Sequence, residues 1–366
     1  MIKNLLKKVR LWIPFNIDGF SSEGDINQQD KRVPKVVLFS GNGKAFCAGG
    51  DIVSLYQAKQ ENSQHKMLKD FFRYEYLLDY SITKLTPIQI SMWHGAVMGG
   101  GVGISINSPV RICTDSSIFA MPEASIGLFT DVGASYFLPR IMNSSVEYGL
   151  YLGLTGEKLR GKELAQTGIA THYVQEDKFS KLKEIIIQKV DEHINLDKLN
   201  SLISQNADYT YSTTTFSLNN SERIKYIFKL DSVSKIYERL NNIIDKKVEK
   251  INDQNADLLT SEESRKWAEK TKATLDRQSP LSLCVIFELL KRGLEMNSID
   301  EAYDVEAQVV AGFMEDSDFF EGVRALLVDK DKNPKWKHKS VGEVNHSELV
   351  KKYFERSEQI DVDPSK

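Results

Sequence analysis

Cysteine is scarce in this chain: Cys47, Cys113 and Cys284 are the only three among 366 residues. No two of them stand at a zinc-type spacing. An odd, sparse count in a chain of this size reads as reduced and intracellular, not as a disulfide scaffold. The six histidines, His65, His94, His172, His193, His338 and His346, show no metal-type clustering, so no metal site is expected. No apolar run approaches the roughly 20 residues that a membrane span needs, and no membrane partner is expected. Charge of one sign is missing too. With 48 Lys and Arg against 51 Asp and Glu, the formal net charge is −3, which argues against a large phosphate-binding surface and against direct nucleic-acid contact. Also absent are the dinucleotide fingerprint G-x-G-x-x-G in its required context and the Gly-Lys-Ser/Thr ending of a P-loop. What is present is material for a core, 41% hydrophobic and 10% aromatic residues. The length predicts one large domain with appended helices.

Along the chain the periodicity alternates. "KVVLFSG" (35–41) is a short apolar run stopped by glycine, and "PIQISMWHG" (87–95) alternates and ends at glycine, so both predict strands. Residues 51–80 turn helical and are dense in aromatics. "VRICTD" (110–115) and "SIFAMP" (117–122) predict further strands, and "GIATHYV" (168–174) one more. Strand–helix alternation of this kind predicts an α/β fold. The stretch 177–272 is polar and predicts helices joined by loops, and "RQSPLSL" (277–283) opens another helix with Ser279 as N-cap and Pro280 in its first turn. A composition shift near residue 180 divides the chain into a core at 1–180, a polar helical segment at 181–277 and a C-terminal helical region at 278–366.

Three segments carry chemistry. "GNGKAFCAGGDI" (41–52) and "HGAVMGGGVGIS" (94–105) each place a Gly-rich turn after a strand and before a helix. A single turn of this kind is usually steric. Two can each offer one backbone N–H to a single carbonyl oxygen, which makes an oxyanion hole; one such donor is typically worth about 3–4 kcal/mol. The third segment, "MPEASIGLFTDVGASYFLPR" (121–140), sets Glu123 and Asp131 in an apolar, Gly-rich stretch. With Met121, Ile126, Leu128 and Phe129 as neighbours, Glu123 should be desolvated and its pKa raised, and a nearby second acid would titrate with it as a pair. The plainer alternatives are a helix-start carboxylate for Glu123 and an N-cap before a helix near Gly133 for Asp131. Asp51 reads as a helix-start residue, His94 and Cys47 as packing or hydrogen-bonded residues, and Lys330, Lys332, Lys335 and Lys337 as a solvated run that could otherwise meet phosphates.

Together these motifs resemble the crotonase (enoyl-CoA hydratase/isomerase) superfamily, and within it the 3-hydroxyisobutyryl-CoA hydrolase branch. "GKAFCAGGDI", "HGAVMGGGVGIS", "FAMPEASIGLFTDVGASYFLPR" and "LTGEKLRGKELAQTGIATHYV" carry the resemblance, with "QSPLSL" and "DFFEGVRALLVDKDKNPKW" downstream. The resemblance implies a crotonase-like ββα spiral core with an appended helical C-terminal region. It implies that the backbone N–H groups of Gly50 and Gly100 bind the thioester oxygen. Glu123 would be the main catalytic carboxylate, as general base or as nucleophile. Asp131, where hydratases of the superfamily usually have glycine, would bind the substrate's 3-hydroxyl. The substrate would be an acyl-CoA, with CoA part of it and no separate cofactor, and the location mitochondrial. A homo-oligomer is possible in the family.

One departure stands out. The family's opening strand and an early CoA-touching loop have no counterpart, which would leave a sheet edge unpaired. "MIKNLLKKVRLW" instead matches the helix that follows that opening, while its basic, acid-free pattern also fits a targeting helix or an amphipathic surface helix. The C-terminal Pro364-Ser365-Lys366 is no peroxisomal address. Three functional expectations follow: hydrolysis of 3-hydroxyisobutyryl-CoA in valine breakdown; a relative of such hydrolases recruited among the proteins of the mitochondrial small ribosomal subunit; and a hydratase or isomerase, against which Asp131 argues.

Overall fold

A computed structural model describes residues 15–18, 34–61, 65–191, 193–212, 220–246, 259–316, 318–356 and 359–361. The basic segment 1–12 lies outside them. The described residues form two compact units. One takes those up to Gly50, Leu78–Ala120 and the stretch from Lys158 to 212; the other takes Asp51–Leu77, Met121–Glu157 and the stretch from 220 onward.

The first unit holds both sheets. Strands β1 (Phe15–Asp18), β2 (Val36–Gly41), β3 (Ala45–Cys47), β4 (Ile88–Met92), β5 (Ala96–Met98), β6 (Val110–Cys113), β7 (Ile118–Ala120), β8 (Leu159–Arg160), β9 (His172–Tyr173) and β10 (Tyr209–Thr210) follow in chain order. The six-stranded sheet runs β1-β2-β4-β6-β9-β10, and the four-stranded sheet β3-β5-β7-β8. Each successive pair, β2 and β3, β4 and β5, β6 and β7, puts one strand in each sheet. The pairings β2/β4, β4/β6, β3/β5 and β5/β7 are parallel. This is the repeating two-strand step of the expected spiral. Strand β1 pairs antiparallel with β2, Phe15 opposite Gly41 and Asp18 opposite Leu38, so the β2 edge expected to be open is paired.

The strands form where the sequence alternates. Leu38, Ile90, Met92, Val110 and Ile112 share one buried cluster with Leu182 and Ile186 of the helix Glu176–Lys189 and Leu199 and Ile203 of the helix Leu196–Ser204. Burying each such side chain contributes about 1.5–3 kcal/mol. Trp93 is fully buried and its indole N–H donates to Ser105 Oγ at 3.0 Å, so its polar edge is satisfied.

The second unit is helical. Serines begin its long helices: Ser279, as the sequence predicts, accepts from Ser282 N ahead of Pro280–Gly293, and Ser261 accepts from Ser264 N ahead of Glu262–Leu275 and Ser298 from Glu301 N ahead of Ile299–Glu315. Such a cap is typically worth ~1 kcal/mol. The helix Val146–Thr155, apolar on every side past its first turn, is buried at every position from Tyr148 to Thr155.

Candidate active site

In the first unit the two Gly-rich loops lie side by side. Gly49 is at φ +103, and a Cβ there would stand 3.7 Å from Met98 O and 3.8 Å from Gly100 N. Gly101 is tighter: its Cβ would fall 2.4 Å from Cys47 O and 2.5 Å from Cys47 Cβ, so nothing larger than glycine fits without moving one loop. Cys47 is buried, the packing role expected of it. The short helix Gly100–Gly103 turns on Gly99, whose carbonyl accepts from Val102 N at 2.8 Å and Gly103 N at 3.3 Å. The Gly100 amide opens that helix and has no acceptor within it. Gly50 is half-buried and Gly100 buried. His94 is hydrogen-bonded to Gly43 O at 3.1 Å through Nε2.

In the second unit Glu123 opens the 3-10 turn Glu123–Ile126. It is 4% exposed, and its Oε2 is buried with no hydrogen-bond partner among the described residues. The turn is pinned by the C-terminal helices. Ser279 N donates to Ala124 O at 3.1 Å, and Gly127, at φ +71, would set a Cβ 2.2 Å from Asp318 O.

Asp131 is also 4% exposed. Its Oδ2 accepts from the Tyr76 hydroxyl at 3.0 Å. The following helix, Ala134–Phe137, has Gly133 as its N-cap and no side-chain cap bond. The capping alternative for Asp131 is thereby set aside: its side chain turns to Tyr76 instead. The backbone just past it is unusual, with Val132 at φ 57 and Gly133 at φ 84. Glu306, from the helix Ile299–Glu315, accepts from Gly133 N at 2.7 Å and from Ser135 N at 3.0 Å and Ser135 Oγ at 2.6 Å.

These acids share one electrostatic environment. Burial raises Glu123 well above the ordinary carboxylate range, and the charges of Asp131 and Glu75 add to it. Burial pushes Asp131 up to about 7, against the Tyr76 hydrogen bond, which pulls it down. Glu75 is raised by burial and then by Asp131. Burial takes Glu306 up to about 8 in spite of its three donors. Poised acids of this kind can hold or accept a proton near neutral pH.

Gly50 and Gly100 belong to the first unit, Glu123 and Asp131 to the second. Within their units the structure brings the two glycine loops together and couples the two acids. Glu75, Tyr76 and Glu306 carry no motif of their own. Glu75 and Tyr76 sit in the aromatic-dense "FFRYEYLLDY", where an acid among aromatics is the available signal, and Glu306 is the one acid on the apolar face of "VEAQVVAGF". Asp51 is an N-cap, accepting from Ser54 N at 3.1 Å, and Lys330, Lys332, Lys335 and Lys337 are exposed.

A model of the Enoyl-CoA hydratase/isomerase family matches residues 22–354. Among named relatives, the mitochondrial 3-hydroxyisobutyryl-CoA hydrolase of Dictyostelium discoideum is 40% identical over 325 residues, 87% of this chain and 79% of that protein. The protein of the same name from Xenopus laevis is 34% identical over 347 residues, 94% of this chain and 79% of that one. Among solved structures, a carnitinyl-CoA dehydratase from Mycobacterium thermoresistibile superposes with a TM-score of 0.72 at 25% identity, covering 90% of this chain and 86% of the other.

Proposed function

The chain belongs to the enoyl-CoA hydratase/isomerase family, and from that premise we propose that it is a mitochondrial acyl-CoA thioester hydrolase. It cleaves 3-hydroxyisobutyryl-CoA to free CoA and 3-hydroxyisobutyrate, a step of valine breakdown. The relatives named for this reaction are more similar to the chain than the dehydratase, and the ribosomal alternative draws no support from them. The observation that carries the reading is Glu123: a buried carboxyl with an unpartnered oxygen, electrostatically coupled to Asp131.

The chemistry assigns the roles. Attack on a thioester carbonyl moves negative charge onto its oxygen, and the amides of Gly50 and Gly100 are the donors for it. Glu123 is the carboxylate that drives the attack. As a base it takes a proton from water while the water oxygen bonds to the carbonyl carbon. As a nucleophile it bonds to that carbon itself, and water then cleaves the mixed anhydride. In both routes the C–S bond breaks, the sulfur leaves with the electron pair, and a proton returns to it. Asp131 receives the 3-hydroxyl. CoA is part of the substrate, and the reaction needs no further cofactor.

The test is CoA release from 3-hydroxyisobutyryl-CoA, with crotonyl-CoA hydration as the control. Thiol release that depends on Glu123 supports the hydrolase; hydration without thiol release overturns it. A single turnover in oxygen-18 water, followed by mass analysis of the peptide containing Glu123, tests the nucleophilic route: an anhydride opened by water at the Glu123 carbonyl leaves label in the protein, which the base route does not.

A further inference from the structure

Glu306 is buried to 0% exposure in the middle of a helix, and the reaction described above gives it no role. Among the described residues its three hydrogen bonds all go to one turn, from Gly133 N, Ser135 N and Ser135 Oγ, and none comes from a cation. That turn begins one residue after Asp131 and contains the strained Val132, a β-branched residue at φ 57. Left-handed backbone at valine persists only where the surroundings over-determine it. Tyr76 holds the Asp131 carboxylate itself, and its ring centroid lies 6.0 Å from that of Tyr303, on the helix that carries Glu306. A neutral side chain could close a turn at less electrostatic cost. A carboxyl here carries the cost of burial, and the charge of Asp131 adds to it.

We propose that Glu306 is a positioning residue for the hydrolysis: it clamps the Gly133–Ser135 backbone, holds the left-handed step at Val132, and so fixes where the Asp131 carboxylate points. The proposal rests on the hydrolase reading, in which Asp131 receives the 3-hydroxyl. Its consequence is specificity. A loosened clamp leaves the acyl-transfer chemistry largely in place and removes the preference for a hydroxylated acyl group.

The experiment compares 3-hydroxyisobutyryl-CoA with isobutyryl-CoA, which lacks the hydroxyl, in the full-length protein. Glu306→Gln keeps the size but offers one acceptor oxygen in place of two. It is expected to lower kcat/KM for the hydroxylated substrate by about 30-fold and for isobutyryl-CoA by less than about 3-fold. Glu306→Asp, with both oxygens retained, restores part of the preference. Ser135→Ala, which removes only the hydroxyl bond, lowers it by a few-fold and serves if Glu306→Gln does not fold. An unchanged preference in a folded variant, or equal losses on both substrates, overturns the proposal. Hydrogen exchange gives a readout without turnover: the Gly133 and Ser135 amides lose protection in Glu306→Gln, and retained protection overturns the clamp. A wild-type protein that hydrolyses neither thioester refutes the hydrolase reading instead, and the clamp is then judged by exchange alone.

Discussion

The two units place polar groups by opposite means. In the first, the donors are main-chain amides, and the devices that set them are absences: no side chain at Gly49 and Gly101, so two loops run backbone against backbone. In the second, the groups are side-chain acids kept from water by aromatic and aliphatic neighbours, and their poise comes from desolvation and mutual repulsion. Amides do not titrate near neutral pH, and those at a helix start have no partner within the helix and can donate outward. Buried acids cost stability and respond to pH. The first unit is tuned by shape, the second by charge.

Substitutions can break this contrast. The largest effect is expected from Glu123→Gln, which should lower kcat for thioester cleavage by about 10³-fold while leaving the fold intact. A surviving rate would mean that the helical unit does not supply the reacting carboxylate. Next comes Gly101→Ala. Its methyl would meet Cys47 O at 2.4 Å, so the loops must part; we expect about 10²-fold lower kcat and a stability loss of about 1–3 kcal/mol. If that variant were as active as wild type, shape would not be the controlling variable in the sheet unit.

A third substitution sharpens the charge side. The carboxyl of Asp131 rises from an ordinary 3.8 to about 7 in the folded protein. Folding therefore favours its neutral form, and the associated stability is complete below about 4 and lost as pH climbs through about 7. Asp131→Asn removes that dependence. Its melting temperature relative to wild type should increase between pH 5 and pH 8, by an amount on the order of 2–4 kcal/mol in stability. A difference that stays flat with pH would contradict the assignment. The smallest expected effect is that of Tyr76→Phe. The Tyr76 hydroxyl stabilises ionised Asp131, so without it the acid limb of the kcat/KM profile should move to higher pH by about 1 unit. A shift to lower pH would refute the role given to Tyr76.

Much of the first unit was legible in sequence. The run at 35–41 became Val36–Gly41 and the alternation at 87–95 became Ile88–Met92; in the second unit Ser279 caps where its spacing to Pro280 implied. The second sheet was mostly hidden. Its strands Ala45–Cys47 and Ala96–Met98 span three residues each, too few to show a period, and they lie inside segments that read as glycine turns. The second unit's acids divide similarly. Glu123 and Asp131 fall in one motif-bearing stretch, whereas Glu75 and Glu306 reach the same neighbourhood from distant segments through helix packing. No local pattern records a long-range approach. The clamp on Gly133 and Ser135 needed coordinates, as did the turning of Asp131 toward Tyr76 and away from a capping role.

Thioester cleavage expels a sulfur anion that must be quenched before it can re-attack. Burial sets Asp131 near 7 and Glu306 near 8 and shifts Glu75 and Glu123 upward, so the helical unit carries acids that titrate above the ordinary carboxylate range. In the hydrolase reading proposed above, acids that exchange protons near neutral pH are the groups suited to neutralise that anion ahead of bulk solvent.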